Sequence, residues 1–110
     1  MSYVPEQGDI IWLDFDPSAG KEIIKRRPAF VISQRAFNLH SKMLIVAPIT
    51  STIRGGRLEV LLPDTVETKG AILVYQLKSI NFVCRKAAFI EKAPQAIIAL
   101  VSSIAQCLVK

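Results

Sequence analysis

The centre of a sheet is predicted from residues 28–33, Pro28-Ala29-Phe30-Val31-Ile32-Ser33, which form an almost continuously apolar run. A short apolar run of β-forming residues is typical of a strand that is covered on both faces. Pro28 stands at its beginning, where the missing N–H of proline is tolerated. Beyond the strand, Ser33 is placed to cap a short helix over Gln34–Leu39.

Further strands are predicted on both sides of this run, each bounded by turn residues. They cover residues 9–15, 43–48, 58–62, 71–80 and 84–90. The last segment is different, because Pro94 suits a first helical turn and apolar residues follow it at helical spacing. This stripe consists of Ile97, Ile98, Val101, Ile104, Ala105 and Leu108. Five or six short strands with one closing helix predict a mainly β fold, a strongly bent sheet or partly open barrel.

Size and composition indicate a single globular domain over residues 1–110. Apolar residues make up 51% of the chain and charged residues 21%, which excludes low-hydrophobicity disorder. No apolar run approaches the ~20 residues of a membrane span, and the N-terminus lacks the pattern of a secretory signal. Cys84 and Cys107 have apolar neighbours and are expected to be buried free thiols, as in a reducing compartment. We therefore expect a cytoplasmic protein that does not bind a membrane.

Several kinds of catalytic site are excluded by the residue inventory. The chain has one histidine, His40, and two scattered cysteines, so the sequence offers no zinc motif. His40 lies in a predicted exposed loop, which makes it a poor member of a Ser-His-Asp or Cys-His arrangement. The sequence has no glycine-rich phosphate loop either. We expect no metal and no cofactor.

The positive signal is basic charge. The formal net charge is +5 and the isoelectric point is near 9.5, which favours a polyanionic partner. Three basic clusters stand beside strand ends: Lys21, Lys25, Arg26 and Arg27; Arg54 and Arg57; Arg85 and Lys86. Each cluster alone also fits ordinary solvated loop charge. A function is favoured for Arg26-Arg27, because Arg27 directly precedes an apolar strand that would hold its guanidinium at the rim of the core.

A run of hydroxyl residues, Thr50-Ser51-Thr52, follows the predicted strand 43–48. Hydroxyl groups beside an arginine can donate hydrogen bonds to a phosphoryl oxygen. Ser and Thr also serve ordinary turns by bonding to the nearby backbone, and the sequence leaves both interpretations open.

Four sequence blocks, in the same order and with compatible spacing, resemble the MazF/PemK-type toxins of bacterial toxin–antitoxin systems. The blocks are Gly8-Asp9-Ile10-Ile11-Trp12-Leu13-Asp14-Phe15-Asp16-Pro17-Ser18-Ala19-Gly20-Lys21-Glu22, Arg27-Pro28-Ala29-Phe30-Val31-Ile32-Ser33, Ala47-Pro48-Ile49-Thr50-Ser51 and Val74-Tyr75-Gln76-Leu77-Lys78-Ser79-Ile80. Each block alone has little specificity, whereas four in order across most of the chain are strong evidence.

The resemblance implies an SH3-like, partly open barrel of the CcdB/MazF toxin type that forms a homodimer. It also implies a metal-independent endoribonuclease that cuts single-stranded RNA, such as mRNA, at short motifs. Cleavage by the 2′-OH of the RNA would leave a 2′,3′-cyclic phosphate and a 5′-OH. A cognate antitoxin would neutralise the toxin with a flexible acidic segment laid along the RNA site.

The same resemblance implies roles for individual residues. Arg27 and Thr50 match positions implicated in catalysis, and Glu22 matches an acidic loop residue linked to activity. Our hypothesis is that Arg27 stabilises the extra charge of the transition state, Thr50 binds the phosphate, and Glu22 or water moves protons. A mechanism with two histidines is excluded, because the chain has one. Expected RNA-binding residues are Lys21, Lys25, Arg26, Ser51, Arg54, Arg57, Gln76, Lys78 and Ser79.

Three other interpretations remain open at this point. Gyrase-binding toxins of the CcdB type share the architecture, but they end in Trp-Gly-Ile, whereas this chain ends Cys107-Leu108-Val109-Lys110. A small nucleic-acid-binding barrel without catalysis is disfavoured by the low aromatic content of 7%. A divergent toxin whose site residues are present but misplaced is the third.

Overall fold

An antiparallel sheet organises the chain in the computed structural model, which describes residues 3–14, 26–53 and 55–109. The strands are β1 (Asp9–Asp14), β2 (Arg26–Val31), β3 (Met43–Thr50), β4 (Glu59–Leu61), β5 (Ala71–Leu73), β6 (Lys78–Asn81) and β7 (Ala88–Lys92). The helices are α1 (Arg35–Ser41) and α2 (Gln95–Val109), and a 3₁₀ turn spans Val74–Gln76. Among the described residues the strands follow the order β4-β5-β3-β2-β1-β7, and β6 pairs with the other half of β3. The prediction of a mainly β fold with a C-terminal helix is confirmed.

Strand β2 is covered on both faces, as its apolar sequence predicts. Phe30 belongs to one buried cluster, whereas Ala29 and Val31 belong to a second, and all three are 0% exposed. This division follows from the alternation of side chains along a strand. The strand begins two residues before Pro28, because Arg26 and Arg27 pair with the end of β1.

The predicted single strand over residues 71–80 is wrong. The chain pairs with β3 twice, through Ile72 opposite Ile49 and through Lys78 opposite Val46. Continuing the first register would put Lys78 opposite Met43, so the 3₁₀ turn Val74–Gln76 absorbs three residues. Val74 is fully buried within this turn, so the apolar run of residues 71–75 continues into the turn without marking the break.

The segment after β2 also differs from its prediction. Helix α1 begins at Arg35, and its N-cap residue Gln34 makes no side-chain capping bond. Ser33 is not the cap: its hydroxyl donates to the Asn38 side chain and accepts the N–H of Ile45. His40 lies in the last turn of α1 rather than in a loop, and it is exposed as expected.

The C-terminal part follows the prediction more closely. The Pro94 carbonyl accepts the N–H groups of Ile97 and Ile98 in the first turn of α2. The stripe of α2 packs on the first cluster, except that Leu108 is 40% exposed. No described helix has the length and apolarity that a bilayer crossing needs.

Both cysteines are free, but they are exposed rather than buried. Cys84 lies in the turn that precedes β7, because the strand predicted over 84–90 begins only at Ala88. Cys107 lies near the end of α2, beyond the part of that helix that reaches the core. The prediction that both thiols are buried, which rested on their apolar neighbours in the sequence, is therefore wrong.

Candidate active site

A cavity of 420 Å³ opens where β2 and β3 part. The ladder between these strands runs from Val31 opposite Val46 to Ala29 opposite Pro48. Continued by two residues, this register sets Arg27 opposite Thr50. Pro28 lies between and has no N–H, so the ladder loses a hydrogen bond at this point. The lining residues are Arg27, Pro28, Ile49, Thr50, Ser51, Thr52 and Lys69.

Arg27 brings its guanidinium to this cavity. Its strand neighbour across the sheet is Leu13, which is 1% exposed and belongs to the core. No described residue forms a hydrogen bond or an ion pair with the Arg27 side chain. An arginine that is anchored by its backbone in a sheet, with no partner among the described residues, is well suited to bind a phosphate.

Arg26, the preceding residue, is engaged elsewhere. Its Nη1 donates to Asp14 Oδ1 at 2.9 Å, and its Nη2 donates to the Lys86 carbonyl at 2.8 Å. The Asp14 side chain is only 12% exposed, so this ion pair neutralises a nearly buried carboxylate at the end of β1. RNA contact by Arg26 stays a prediction. The two hydrogen bonds that the structure describes for Arg26 hold the ends of β1 and of the turn before β7.

Thr50 presents a hydroxyl whose geometry favours donation. Its Oγ1 accepts the N–H of Thr52 at 3.1 Å, as in the ordinary turns of Ser and Thr. That bond uses a lone pair and leaves the hydroxyl proton for another acceptor. The turn function and the phosphate function therefore coexist in the same side chain. Ser51 and Thr52 follow at an exposed bend on the same cavity.

Lys69 is a lining residue that the sequence analysis missed. It reaches the cavity from the segment between β4 and β5, and its ammonium has one weak described bond, to the Val66 carbonyl at 3.4 Å. The next residue, Gly70, has φ +124°, and a Cβ there would lie 2.0 Å from the Thr50 carbonyl oxygen. The segment can approach Thr50 only because that residue is glycine. The sequence feature that could have identified Lys69 is its position directly before a glycine at the start of a predicted strand.

Glu91 of β7 holds the segment before Lys69 in place by hydrogen bonds, which we call the Glu91 clamp. Its carboxylate accepts the N–H of Glu67 at 3.0 Å and both the N–H and the hydroxyl of Thr68, at 2.8 and 2.7 Å. Burial alone would raise the pKa of Glu91, but these hydrogen bonds and the charge of Lys69 hold it below its usual range. The clamp fixes the backbone immediately before Lys69.

Four other predicted site residues that the structure describes do not line this cavity. Arg57 lies in an exposed turn before β4, and Gln76 lies in the exposed 3₁₀ turn. Lys78 and Ser79 pair with Val46 and Ile45, which puts them four or more residues, about 13 Å or more, from Thr50 along β3. The remaining four, Lys21, Glu22, Lys25 and Arg54, lie outside the described residues.

The cavity offers chemistry for a phosphodiester. It combines a guanidinium, an ammonium and three hydroxyl side chains. Within residues 3–14, 26–53 and 55–109, no group of His, Cys, Asp and Glu side chains is arranged to hold a metal ion. Its described side chains can bind and polarise an anion, and a general base must come from elsewhere.

Comparison with protein families gives the affiliation of this chain. Residues 6–108 match the sequence model of the PemK-like, MazF-like toxins of type II toxin–antitoxin systems. The chain belongs to this family. The endoribonuclease toxin MazF of Escherichia coli strain K12 is 41% identical over 85 residues, which are 77% of this chain and 76% of that relative. The endoribonuclease PemK of Escherichia coli is 29% identical over 96 residues, covering 84% of this chain and 72% of PemK.

Solved structures of MazF proteins share the fold. The crystal structure of MazE-MazF (Form-II) from Deinococcus radiodurans superposes with a TM-score of 0.90 at 34% identity. The match covers 98% of this chain and 97% of that one. The expected CcdB/MazF-type architecture, an open antiparallel sheet with a C-terminal helix, is therefore confirmed for this MazF/PemK family member.

Proposed function

We propose that this MazF/PemK-type toxin cleaves single-stranded RNA in the cavity between β2 and β3. The chain is an endoribonuclease toxin by family, and its match to relatives named endoribonuclease disfavours the CcdB-type gyrase-binding alternative. One observation carries the location of the site: Arg27, without a described partner, and the donor hydroxyl of Thr50 stand on neighbouring strands around the same cavity.

The reaction is an attack by the ribose 2′-oxygen on the adjacent phosphorus, with cleavage of the bond from phosphorus to the 5′-oxygen. The non-bridging oxygens on phosphorus gain negative charge in the transition state, and donors that are fixed in place beforehand lower this barrier. Arg27 supplies the fork of donors, Thr50 supplies a hydroxyl, and Lys69 adds a positive charge in the same cavity. The products are a 2′,3′-cyclic phosphate and a 5′-OH.

Proton transfer completes the mechanism. The 2′-OH must lose a proton to a base, and the 5′-oxygen must gain one as it leaves. Arg27 is a poor base because a guanidinium stays protonated at physiological pH. We assign the base to Glu22 or to water, as proposed from the sequence. Lys21, Lys25, Arg54 and Arg57 would hold flanking phosphates, together with Ser51 at the cavity and Gln76, Lys78 and Ser79 along the surface.

The biological setting follows from the family. Relatives have been crystallised as MazE-MazF complexes, and we propose that this chain is likewise neutralised by a cognate antitoxin with a flexible acidic segment. A basic cavity whose Arg27 guanidinium has no described partner offers such a segment the same anchor that it offers RNA. The toxin would act as a homodimer in the cytoplasm and inhibit growth by destroying mRNA.

The test is the cleavage chemistry. Purified protein is incubated with a long single-stranded RNA in EDTA, the cut positions are mapped, and the ends are identified. We expect discrete cuts with 5′-OH and 2′,3′-cyclic phosphate ends, and no cut where the nucleotide before the scissile phosphate is 2′-deoxy. Arg27→Ala, purified in the same way, controls for contaminating ribonuclease. Full activity in Arg27→Ala, or cutting at the 2′-deoxy position, would refute the proposed site and reaction.

A further inference from the structure

Trp12 is an aromatic side chain that the fold leaves partly in solvent. The other five residues of β1 are buried, whereas Trp12 is 41% exposed. It stands directly opposite Pro28 in the ladder between β1 and β2. Paired residues of neighbouring strands project from the same face, so the indole and the pyrrolidine ring form adjoining apolar surface. This surface begins one residue from Arg27.

A second cavity, of 310 Å³, lies over this surface. It is lined by Trp12, Pro28, Glu67, Thr68, Lys69 and Ile90. Pro28 and Lys69 also line the candidate active site, so the two cavities adjoin. A bound phosphodiester at Arg27 and Thr50 would therefore carry one of its flanking nucleosides into the neighbourhood of Trp12.

The lining combines what a nucleobase requires. Trp12 supplies a stacking face, and Pro28 and Ile90 supply apolar walls. Glu67 and Thr68 supply polar groups at the rim, and Lys69 supplies a positive charge toward the phosphate. Base stacking on an aromatic side chain tolerates any base, whereas hydrogen bonds at the base edge select among them.

We propose that this second cavity is a base subsite: Trp12 stacks a nucleobase next to the scissile phosphate, and Glu67 reads its edge. The inference rests on the proposed function, because it takes the strand at Arg27 and Thr50 to be RNA. Glu67 offers only acceptor oxygens when ionised, so the subsite favours bases with an exocyclic amino group over uracil. Its backbone N–H is fixed by Glu91, which positions the residue for such a role.

The first experiment uses the intrinsic fluorescence of the protein, since Trp12 is its single tryptophan. The probe is a short RNA that spans the mapped cleavage motif and carries 2′-deoxyribose before the scissile phosphate. If no cleavage is found, an RNA of the same length and one defined sequence is scanned with an abasic nucleotide at each position in turn, and loss of quenching at one position is the expected result. We expect the RNA to quench Trp12, and an abasic nucleotide at one position beside the scissile phosphate to abolish the quenching. No quenching, or quenching that survives every abasic substitution, would overturn the proposal.

A second experiment tests the subsite by activity. Trp12→Leu should lower kcat/KM for RNA cleavage by about 10- to 100-fold, the range of a lost stacking contact. Phe89→Leu is the matched control, because Phe89 is an exposed aromatic residue of neighbouring β7 that packs on Tyr3 outside this cavity. Glu67→Gln, whose amide can also donate, should increase cleavage of uracil-containing motifs. Equal losses in the two leucine variants, or unchanged base preference in Glu67→Gln, would contradict the inference.

The two proposals fail in different ways. If the active site is wrong, no RNA is cut or Arg27→Ala keeps its activity, while base-dependent quenching of Trp12 persists. If the base subsite is wrong, cleavage depends on Arg27 as proposed, while Trp12 fluorescence is indifferent to the abasic position. Arg27→Ala itself should lose cleavage and retain base-dependent quenching.

Discussion

The two ends of β3 belong to one strand, but their polar groups are used differently. Near Met43, the N–H of Ile45 donates to the Ser33 hydroxyl, which in turn donates to the fully buried Asn38. Asn38 also donates to the Pro5 carbonyl at 2.8 Å and the Ser33 carbonyl at 3.2 Å. Near Thr50, the ladder to β2 has ended, and the Arg27 guanidinium has no described partner.

This difference separates stability from function. A satisfied, buried network contributes to the free energy of folding and offers nothing to a ligand. Hydrogen-bond donors around a cavity that lack a protein partner contribute little to the free energy of folding, and they remain available to bind an anion. Changes at the Met43 end should therefore lower the stability of the protein, and changes at the Thr50 end should lower its activity.

The largest expected effect is on catalysis. Arg27→Ala should lower kcat for RNA cleavage by about 10²- to 10³-fold, because it removes donors aimed at the transition-state charge. The midpoint of urea unfolding should stay nearly unchanged, since the side chain has no described partner to lose. Arg35→Ala, an equal loss of charge on the exposed helix α1 away from the cavity, is the matched control. Similar losses of activity in both variants would mean that only the general positive charge matters.

The corresponding change at the other end of β3 should affect folding. Asn38→Ala should lower the free energy of unfolding by about 2–4 kcal/mol, because it leaves buried backbone carbonyls and the Ser33 hydroxyl without their partner. Urea unfolding measures the change, and cleavage per folded molecule should be preserved. Exposed Gln34→Ala is the control. A near-neutral Asn38→Ala would contradict the structural role of this end.

A smaller catalytic effect is expected at Thr50. Thr50→Val keeps the shape but removes the hydroxyl, and it should lower kcat by about 10- to 30-fold, because a neutral donor is about half as strong as a charged one. Thr50→Ser, which retains the hydroxyl, should keep most of the activity. Single-turnover cleavage rates distinguish the two variants. If Thr50→Ser were as impaired as Thr50→Val, the methyl group rather than the hydroxyl would be the important part.

Arg26 tests whether neighbouring arginines divide the two tasks. Arg26→Ala should lower the free energy of unfolding by about 1–2 kcal/mol, since the Asp14 carboxylate, 12% exposed, loses its described ion-pair partner. Its cleavage activity should fall far less than that of Arg27→Ala. Both quantities are measured on the same preparation. A stable but inactive Arg26→Ala would place Arg26 in the RNA site, as the sequence analysis expected.

The smallest effect concerns pH. Hydrogen bonds from Glu67 and Thr68 hold the pKa of Glu91 below its usual value of about 4.3. A carboxyl whose pKa is lowered on folding adds stability above its unfolded pKa, and this contribution is lost as the pH falls through the folded pKa. The amide resonances of Glu67 and Thr68 should titrate with a midpoint below about 4.3 in NMR spectra. Loss of this transition in Glu91→Gln would assign it, and a higher midpoint would argue against the clamp.

Prediction from the sequence succeeded where the signal was local. The covered strand β2 follows from its apolar run, and α2 follows from Pro94 and the helical spacing after it. Prediction failed where a distant segment decided the outcome. The break at Val74–Gln76 is hidden in the sequence, because Val74, the first residue of the turn, is apolar and buried in the same core as the strands around it.

The candidate site shows the same division. Arg27 and Thr50 were found from their motifs, but Lys69 was missed because only the pairing of β5 with β3 brings the segment that carries it to the cavity. The close approach of Gly70 to the Thr50 carbonyl allows the segment between β4 and β5 to reach the cavity.

By itself the sequence determined the fold class, the family and the residue types available for chemistry, since apolar periodicity and motif order are properties of the chain. Only the tertiary structure decided which of two adjacent arginines has a partner among the described residues. Arg26 is neutralised by Asp14 of the neighbouring strand, whereas Arg27 lines the cavity where the ladder between β2 and β3 has ended. Charge alone could not tell them apart, because the partner of a charge depends on packing between segments distant in the sequence.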